Sequence, residues 1–276
     1  MPEPSPISSN SPSYDSDFFT PLFAVEDRHF WFRSRNEVIS ALVENEVRRL
    51  PAGYRVLEVG CGTGNVLREL GKVCQNGQVV GMDLFIEGLE YARRRVGQGL
   101  VQGDMHAPPF GLRFNLVGLF DVLEHLPDDR HVLDALYSML EPGGVLFLTV
   151  PAFPSLWSYF DEASHHVRRY RLDELQTRLE QAGFKVETTS YYMMSIFPLV
   201  WIQRKLAPGR LQAKGPASEQ DAHDRTVDDL RIVPVANQVL VTILGLEARW
   251  LKSGRRLPFG TSLLALARRP AEKSLF

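Results

Sequence analysis

Cysteine is scarce in this chain of 276 residues. Its two cysteines, Cys61 and Cys74, stand in no spacing that is typical of a metal site. Two separate thiols argue against a fold held together by disulfides, and they are typical of proteins in a reducing compartment. We therefore expect a cytoplasmic protein that is stabilised by its hydrophobic core.

Long apolar runs are also missing. Crossing a bilayer takes about 20 consecutive apolar residues, and the nearest run, at 232–251, is interrupted by Pro234, Asn237, Gln238 and Glu247. The first 17 residues are rich in Pro and Ser and lack the basic start and apolar centre of a signal peptide. The sequence predicts a soluble protein with a disordered N-terminal tail.

An excess of charge is the third absence. The formal net charge is −2 and the isoelectric point is about 6.4, which gives no reason to expect a nucleic acid as partner. We expect the basic cluster Arg93-Arg94-Arg95 to be a solvated helix face. The composition, 44% hydrophobic and 23% charged, is that of an ordinary globular protein.

Apolar strands alternate with amphipathic helices through the first half of the chain. The strands are expected at Arg55–Val59, Gln78–Met82, Leu100–Gln102, Phe114–Phe120 and Val145–Val150. Helices are expected at Arg33–Leu50, Asn65–Val73, Ile86–Val96 and Arg130–Leu140, with a turn at Glu141–Gly144. This alternation predicts a doubly wound, mostly parallel sheet that is covered on both faces.

The second half of the chain is less regular. We expect a helix at Leu172–Ala182, a strand at Phe184–Thr189, an apolar segment at Ser195–Leu206, a mainly helical stretch at Thr226–Leu251 and a last strand at Ser262–Ala267. A polar linker or loop, rich in Pro and Gly, begins at Ala207. It separates the apolar segment at Ser195–Leu206 from the helical stretch at Thr226–Leu251. One domain with a cap or insertion fits this order better than two domains.

The stretch "VLEVGCGTGNVL" is the first that indicates chemistry. Gly60, Gly62 and Gly64 follow a strand and precede a helix, so the backbone can approach a ligand and the helix N-terminus favours an anionic group. A dinucleotide site would have the spacing G-x-G-x-x-G, whereas here it is G-x-G-x-G. Glu58, two residues before the first glycine, would suit a cationic group of the ligand.

Acids follow the next predicted strands. Asp83 ends the second strand, where a carboxylate can accept both hydroxyls of a ribose. Asp104 ends the third strand, and the fourth runs into Asp121 and Glu124. A single acid at such a place is usually a helix cap, but a series at the carboxyl ends of parallel strands indicates a nucleoside-like ligand.

In order and spacing, "LEVGCGTGN", "VVGMDL", "QGDMHAPPF", "FDVLEHLPDD" and "LEPGGVLFLTVP" resemble the motifs of class I S-adenosylmethionine-dependent methyltransferases. The resemblance covers about residues 55–151. It implies that the three glycines pass the methionyl part of the cofactor, that Glu58 contacts its ammonium, Asp83 its ribose, Asp104 and Met105 its adenine, and that Asp121 lies near the reacting methyl. We also assign Cys61, Leu84 and Phe120 to this cofactor site.

The resemblance implies a fold class, α/β with a Rossmann-like, doubly wound, mostly parallel sheet of seven strands. We divide the chain into a tail (1–17), an N-terminal helical lid (18–52), the cofactor-binding core (53–192), a C-terminal helical cap or insertion (193–259) and the last strand with its tail (260–276).

More weakly, "EDRHFWFRSRNEVI", "DEASHHVRRYRLDELQTRLEQAGF" and "LPFGTSLLALARRP" resemble a bacterial subgroup of these enzymes that is often encoded beside genes for sugar or lipid-linked assembly. That resemblance implies a small-molecule or lipid-linked acceptor.

Three histidines are candidates for a general base, which a hydroxyl acceptor would need. They are His125, His165 and His166, and each could instead stabilise its loop. We assign His29, Trp31, Trp157 and Tyr170 to acceptor binding, with Phe153, Tyr159 and Phe160 as further parts of an apolar pocket. A metal held by His106, His165 and His166 is the less favoured interpretation, and we expect no metal.

The aromatic segment "YYMMSIFPLVWIQRKL" has three interpretations, a lipidic acceptor site, a membrane-surface contact or a core helix or dimer interface. In the second, Arg204 and Lys205 would meet lipid headgroups. We leave open whether the protein is a monomer or a homodimer.

The leading hypothesis is a methyltransferase that moves a methyl group from S-adenosylmethionine, leaving S-adenosylhomocysteine, to a small and partly apolar acceptor. O-methylation is favoured, and C- or N-methylation stays open. The alternatives are an NAD-dependent oxidoreductase, which the glycine spacing and Glu58 disfavour, and a non-catalytic partner subunit that binds the cofactor.

Overall fold

The computed structural model of the chain describes residues 18–206 and 231–271. Predictions for the tail at 1–17, for the linker after Ala207 and for the last five residues therefore lie outside the described residues. The division into lid, core and cap stays a prediction.

Seven strands form one sheet in the described part of the chain, in the order β3-β2-β1-β4-β5-β7-β6. Their pairing is parallel from β3 to β5, and β7 runs antiparallel to both of its neighbours. The strands are β1 (Arg55–Val59), β2 (Gln78–Asp83), β3 (Leu100–Gln102), β4 (Phe114–Phe120), β5 (Leu140–Pro151), β6 (Lys185–Tyr192) and β7 (Ser262–Arg268). The predicted fold class, with a mostly parallel seven-stranded sheet, is confirmed.

The helices of the described residues flank this sheet. They are α1 (Phe19–Val25), α2 (Phe30–Val47), α3 (Asn65–Val73), α4 (Ile86–Val96), α5 (Asp129–Met139), α6 (Tyr159–Ala163), α7 (Leu172–Gln181), α8 (Phe197–Leu206) and α9 (Pro234–Lys252). The predicted bounds of α3, α4, β1, β3 and β4 are confirmed. Within the predicted helix at Thr226–Leu251, residues 231–233 are not helical and α9 begins at Pro234, which is tolerated in the first turn because its missing N–H would be unpaired there.

The turn expected at Glu141–Gly144 appears as a bulge inside β5. Phe114 pairs with Leu140 and Leu116 with Val145, so four residues of β5 have no partner residue across this gap in β4. Gly143 has a φ of +84° and donates its N–H to the carbonyl of Arg269 at 2.9 Å. The bulge therefore keeps its backbone hydrogen bonds by turning toward the chain end beyond β7.

Alternate residues of the central strands pack on opposite faces, as the two-residue period of a strand requires. On one face, Leu57, Leu119 and Leu148 are fully buried or nearly so against α5 and α7. On the other face, Val56 and Phe147 pack against α2, α3 and α9. This double cover explains why the strands read as continuous apolar runs in the sequence.

Helix α9 lies alongside α2 and runs in the same direction. Near its start, the Asn237 side chain accepts from the N–H of Phe30 at 2.7 Å. Near its end, the Lys252 ammonium lies 2.6 Å from a carboxylate oxygen of Glu44. Gly245 passes Glu37 between these points. The predicted C-terminal helical insertion is thus the outer neighbour of the N-terminal helix.

None of the described helices combines the length and the apolar character that a bilayer crossing requires.

The carboxyl ends of β1 and β4 mark the place where a ligand is expected. The strand order reverses between these two neighbours, with β2 and β3 on one side and β5 on the other. Loops that leave such a switch point diverge and open a crevice. The glycine loop after β1 and Asp121 after β4 both lie there.

A substitution at Gly260 tests how closely the chain just before β7 packs against β6. A Cβ at this position would lie 2.1 Å from the carbonyl oxygen of Tyr192, so we expect Gly260→Ala to lower the free energy of unfolding by about 3 kcal/mol or more. The matched control is Gly71→Ala in α3, where a Cβ meets nothing within 4 Å; it should raise stability by about 0.5–1 kcal/mol. Urea unfolding of both variants measures the difference, and equal stabilities would contradict the packing at β7.

Candidate active site

A cavity of about 1050 Å³ opens at the carboxyl ends of β1, β2 and β4. Its walls come from the glycine loop, the segment from α1 to α2, the loop after β4, residues 158–169 and α8. It is the place where the predicted cofactor residues other than Gly64 meet the three predicted base candidates, His125, His165 and His166.

The glycine loop takes a backbone path that side chains would block. Gly60 has a φ of +71°, and a Cβ there would lie 2.6 Å from the Val122 side chain. The N–H groups of Gly60 and Cys61 donate to the carbonyl of Met82 at 2.8 and 3.1 Å. Gly64, with a φ of +75°, begins α3, and a Cβ there would lie 2.9 Å from Cβ of Ala92. The loop can therefore bring bare backbone to a ligand.

Asp83 ends β2 beside this loop. One carboxylate oxygen accepts from the N–H of Gly62 at 2.6 Å and the other from the N–H of Phe85 at 2.9 Å. Burial raises the pKa of Asp83, and the two N–H donors oppose that shift. The next residue, Leu84, is partly exposed and lines the cavity with it. The carboxylate is thus fixed in orientation at the place predicted for ribose recognition.

Glu58 lies at the base of the cavity and is almost completely buried. Its Oε2 has no hydrogen-bond partner among the described residues. Burial raises the pKa of Glu58 well above its ordinary value, and the nearby Arg35 guanidinium opposes this. A buried acidic oxygen of this kind fits the ammonium group of a methionyl cofactor, because a buried carboxylate needs a cationic partner to stay ionised.

Asp121 follows β4 in a left-handed backbone conformation, with a φ of +54°. Its two oxygens accept from Arg35 of α2 at 3.0 Å and from the Thr149 hydroxyl at 3.1 Å. Although burial opposes it, the charge of Asp121 raises the pKa of Arg35. Arg35 also lies 5.1 Å from the ring centre of Trp31.

The sequence analysis missed Arg35 as a site residue. A signal was present, because Phe32, Arg35, Ile39 and Leu42 follow one another at helical spacing and all are buried. A cation on the buried stripe of a helix requires a buried acid opposite it.

A buried ion pair holds α1 against the glycine loop. The Glu26 carboxylate accepts from the Thr63 hydroxyl at 2.5 Å and from the Arg95 guanidinium at 2.7 Å. Arg95 also donates to the carbonyl of Thr63 at 3.0 Å and lies 4.3 Å from the ring centre of Phe23. We call these three residues, Glu26, Thr63 and Arg95, the lid latch. The expectation of a solvated face is wrong for Arg95, because the α1 segment covers it.

His29 and Trp31, predicted for the acceptor, both line the cavity. His29 begins α2, and its Nδ1 accepts from the N–H of Trp31 at 3.3 Å. Burial lowers the pKa of His29. The imidazole is therefore a neutral helix cap that packs on Phe30 and Phe32.

Asp104, Met105 and Phe120 also line the cavity. The Asp104 carboxylate accepts from the N–H of His106 at 2.9 Å, and the His106 ring stacks on His131 at 4.8 Å.

His166 is held by two acids. Its Nδ1 lies 2.9 Å from Asp161, and its Nε2 lies 4.0 Å from Glu124. Arg169 donates to the same oxygen of Asp161 at 2.6 Å. Burial opposes ionisation of Asp161, but the hydrogen bond from His166 and the charge of Arg169 lower its pKa to about 2. An ionised Asp161 fixes the imidazole with its Nδ1 as donor, which leaves Nε2 as the acceptor.

His125 lies against His166, with ring centres 4.8 Å apart and planes nearly perpendicular. Burial, aided by the charge of His166, lowers the pKa of His125 to about 3, so this imidazole is neutral at pH 7. Burial also raises the pKa of Glu124 well above its ordinary value. Ligand atoms of Glu124, His125 and His166 lie within 4.8 Å of one another. This group differs from the one considered for a metal from the sequence, which was His106, His165 and His166. Of those three, His166 alone belongs to the group that comes together in the described residues, with Glu124 and His125.

Several predicted residues lie elsewhere. Tyr170 is fully buried in the core, where its hydroxyl donates to Asp129 at 3.2 Å. Trp157 is 38% exposed and donates to Glu162. Phe153 stacks on Tyr191 outside the cavity. None of these three lines the cavity, whereas Tyr159 and Phe160 do. The buried position of Tyr170 does not support its assignment to acceptor binding, and the assignments of Trp157 and Phe153 stay predictions. Hydrophobic periodicity alone cannot tell a core residue from a pocket residue.

The base candidate His165 and the cation Arg204 both line the cavity. His165 is exposed and has a left-handed backbone conformation, with a φ of +55°. Arg204 lines the cavity with one nitrogen 3.9 Å from Asp161, so it turns inward and does not extend toward a membrane. The side chain of Lys205 lies outside the described part.

The lid latch predicts a difference between neighbouring arginines. Arg95→Gln leaves the buried Glu26 carboxylate without its cation, so we expect the free energy of unfolding to fall by about 3 kcal/mol. Arg93→Gln, on the exposed side of the same helix, should change it by no more than about 0.5 kcal/mol. Thermal and urea unfolding measure both variants, and equal small effects would contradict the burial of the latch.

Comparison with known proteins agrees with this geometry. A model of the methyltransferase domain family matches residues 31–189, more than half of the chain. A ubiquinone biosynthesis O-methyltransferase from Xanthomonas axonopodis pv. citri is 31% identical over 177 residues, which are 56% of this chain and 70% of that protein. An O-methyltransferase from Penicillium expansum is 31% identical over 168 residues, 54% of this chain and 60% of that protein.

The ubiquinone biosynthesis O-methyltransferase of Psychrobacter cryohalolentis is 36% identical over 107 residues, which are 36% of this chain and 41% of that protein. Among solved structures, an S-adenosylmethionine-dependent methyltransferase from Thermotoga maritima superposes with a TM-score of 0.53 at 14% identity, over 92% of this chain and all of that one. That likeness concerns the fold. By its sequence match, the chain belongs to the methyltransferase domain family and is a class I S-adenosylmethionine-dependent methyltransferase.

Proposed function

We propose that this enzyme methylates a hydroxyl oxygen of a small, partly apolar acceptor, free or attached to a lipid, and that His166 is the general base. The observation that carries the proposal is the pair Asp161–His166 at the cavity wall, with its 2.9 Å hydrogen bond. The O-methyltransferase names of the relatives from Xanthomonas and Penicillium support an oxygen acceptor.

The cofactor contacts follow from the carboxylates and the bare loop. Asp83 would accept from the ribose hydroxyls, Glu58 would face the ammonium group, and the glycine loop would pass the methionyl chain. Asp104 and Met105 would contact the adenine. S-adenosylmethionine supplies a methyl group on a positively charged sulfur, which makes the methyl reactive without further activation by the protein.

The acceptor would enter between the aromatic walls of the cavity. Phe30 and Trp31 line one side, and Tyr159, Phe160 and Val200 line another. These rings suit a partly apolar molecule and exclude water, so that the reacting groups are held close together.

His166 would take the proton of the acceptor hydroxyl on Nε2 as the oxygen bonds to the methyl carbon. The electron pair of the breaking carbon–sulfur bond stays on sulfur. Asp161 stabilises the imidazolium that results, because its charge lies 2.9 Å from Nδ1. Arg169 keeps Asp161 ionised and in place.

We infer further that the enzyme works in the cytoplasm. The two cysteines are free and buried, which suits a reducing compartment.

Asp83→Ala tests the cofactor assignment. Loss of charge-assisted hydrogen bonds of about 1.5–3 kcal/mol should weaken S-adenosylmethionine binding at least about tenfold. Isothermal titration calorimetry measures the affinity, and circular dichroism checks that the variant folds. Asp134→Ala, an exposed acid of α5, is the control and should bind as the wild type does. Unchanged affinity of Asp83→Ala would refute the ribose contact.

His166→Asn tests the general base against its exposed neighbour. We expect kcat to fall by about 10²–10⁴-fold, with little change in cofactor affinity, because the proton acceptor is lost. His165→Asn, which suits the left-handed backbone at that position, should keep most of the activity.

The assay uses methyl-labelled S-adenosylmethionine and an extract of the source cells, with label counted in the organic and aqueous phases. Dialysis against EDTA should leave turnover unchanged, since the proposed base needs no cation. A rate that collapses with EDTA and returns with Mg²⁺ or Zn²⁺ would shift the role of His166 from base to metal ligand.

A further inference from the structure

The outer face of α9 is apolar and exposed. Its side chains Val235, Val239, Ile243, Leu246 and Trp250 recur at intervals of three or four residues, so they form one line along the helix. Val235 is 77% and Leu246 58% exposed. We call these five residues the apolar stripe. At 1.5 Å per residue it is about 22 Å long.

The inner face of the same helix is also apolar. Leu244, Ala248 and Leu251 are buried against the core that α2 shares. A helix that is apolar all round is normally covered on every side, and an exposed line of large apolar side chains indicates a surface that meets another phase or partner.

Most charged residues between 231 and 256 are cations. From 231 to 256 the sequence has five cations, Arg231, Arg249, Lys252, Arg255 and Arg256, and one acid, Glu247. Glu247 is buried, and its carboxylate accepts from the N–H groups of Met194 and Ser195. The exposed surface of this segment therefore presents apolar side chains and the positive charges of Arg249, Arg255 and Arg256. Lys252 pairs with Glu44 of α2, and the exposed Glu37 of α2 lies beside Gly245.

Trp250 and Arg255 combine both features at one end of the stripe. Trp250 is 45% exposed, and the Arg255 guanidinium lies 4.4 Å from its ring centre. In the described part of the chain, no carboxylate pairs with Arg249, Arg255 or Arg256. Tryptophan and arginine together are typical of the boundary between headgroups and acyl chains, where the ring is half buried and the cation reaches phosphate.

Helix α8 adds a second apolar surface next to the cavity. Its residues Val200 and Arg204 line the cavity, whereas Leu199, Trp201 and Ile202 are exposed. Glu247 of α9 binds the backbone just before α8. The stripe and the outer side of the cavity wall are thus connected through partly buried hydrogen bonds.

We propose that the apolar stripe docks on an anionic lipid surface, with Trp250 at the depth of the headgroups and the cations around it on lipid phosphates. The helix lies in the plane of the interface and does not cross it, in keeping with its amphiphilic surroundings. The proposal does not depend on which acceptor is methylated.

Two other partners for the stripe, a second copy of the chain and the segment at 207–230 of the same chain, fit less well. In a second copy of the chain, the stripe would bring the cations Arg249, Arg255 and Arg256 into the contact, with no exposed acid of residues 231–256 to oppose them. The segment at 207–230 is polar in sequence and has Leu211, Val227 and Leu230 as its large apolar residues, too few to cover the stripe.

The test is sedimentation of the full chain with sucrose-loaded vesicles. We expect binding to vesicles of phosphatidylcholine with about one third phosphatidylglycerol, weakened by salt, and much less binding to phosphatidylcholine alone. The double variant Ile243→Ser with Leu246→Ser should bind at least about tenfold more weakly, because two apolar side chains leave the interface. Leu112→Ser, an exposed leucine far from the stripe in sequence, should bind as the wild type does.

Arg255→Gln with Arg249→Gln separates charge from apolar contact, and it should remove the preference for phosphatidylglycerol. Equilibrium ultracentrifugation of the same proteins measures self-association. Absence of vesicle binding, binding that the double serine variant leaves unchanged, or a dimer that this variant dissociates would each overturn the proposal.

Discussion

The ion pair between Arg35 and Asp121 joins helix α2, which covers the cavity, to the carboxyl end of β4, at the base of the cavity. Asp121 stands at the switch point of the sheet in a left-handed conformation that costs about 1 kcal/mol or more for a residue with a Cβ. Arg35 and Thr149 stabilise it by holding both of its oxygens. Since Arg35 belongs to α2, the same contact fixes the helix that carries Trp31 and Phe30 over the cavity. The lid latch at Arg95 repeats this arrangement on the other side of the glycine loop.

Acids dominate the cavity floor, and their charges are balanced unequally. Asp161 and Asp121 each have an arginine within 3.0 Å, whereas Glu58 and Glu124 have one carboxylate oxygen without a partner among the described residues. Burial raises the pKa of both glutamates, so each is sensitive to a cationic group that comes near. Such a floor favours a ligand that carries positive charge, which is what distinguishes a sulfonium cofactor from a dinucleotide.

The sequence predicted the elements that have strong local signals. β1, α3, α4 and β4 have the predicted bounds because their apolar periods and glycine or proline boundaries agree. The carboxyl-end positions of Asp83 and Asp121 could also be inferred, because parallel strands end at one edge. Arg95 and Tyr170 could not be assigned in this way. Their partners lie 32 to 72 residues away in the sequence, and the same aromatic or basic residue suits core, surface or pocket until those contacts are known. The parallel packing of α9 on α2 could not be predicted from the sequence either, since no local pattern encodes it.

The parallel packing of α2 and α9 has a consequence for synthesis. Phe30 is bound by Asn237, and Glu44 by Lys252, across more than 200 residues of chain. The segment that shapes the cavity is therefore synthesised more than 200 residues before its lateral support. Contacts of such long range form slowly, because the loop between them must first be closed. The nascent chain would hold its glycine loop and acids before the wall above them is secured, so the cavity is completed only after α9 has been synthesised.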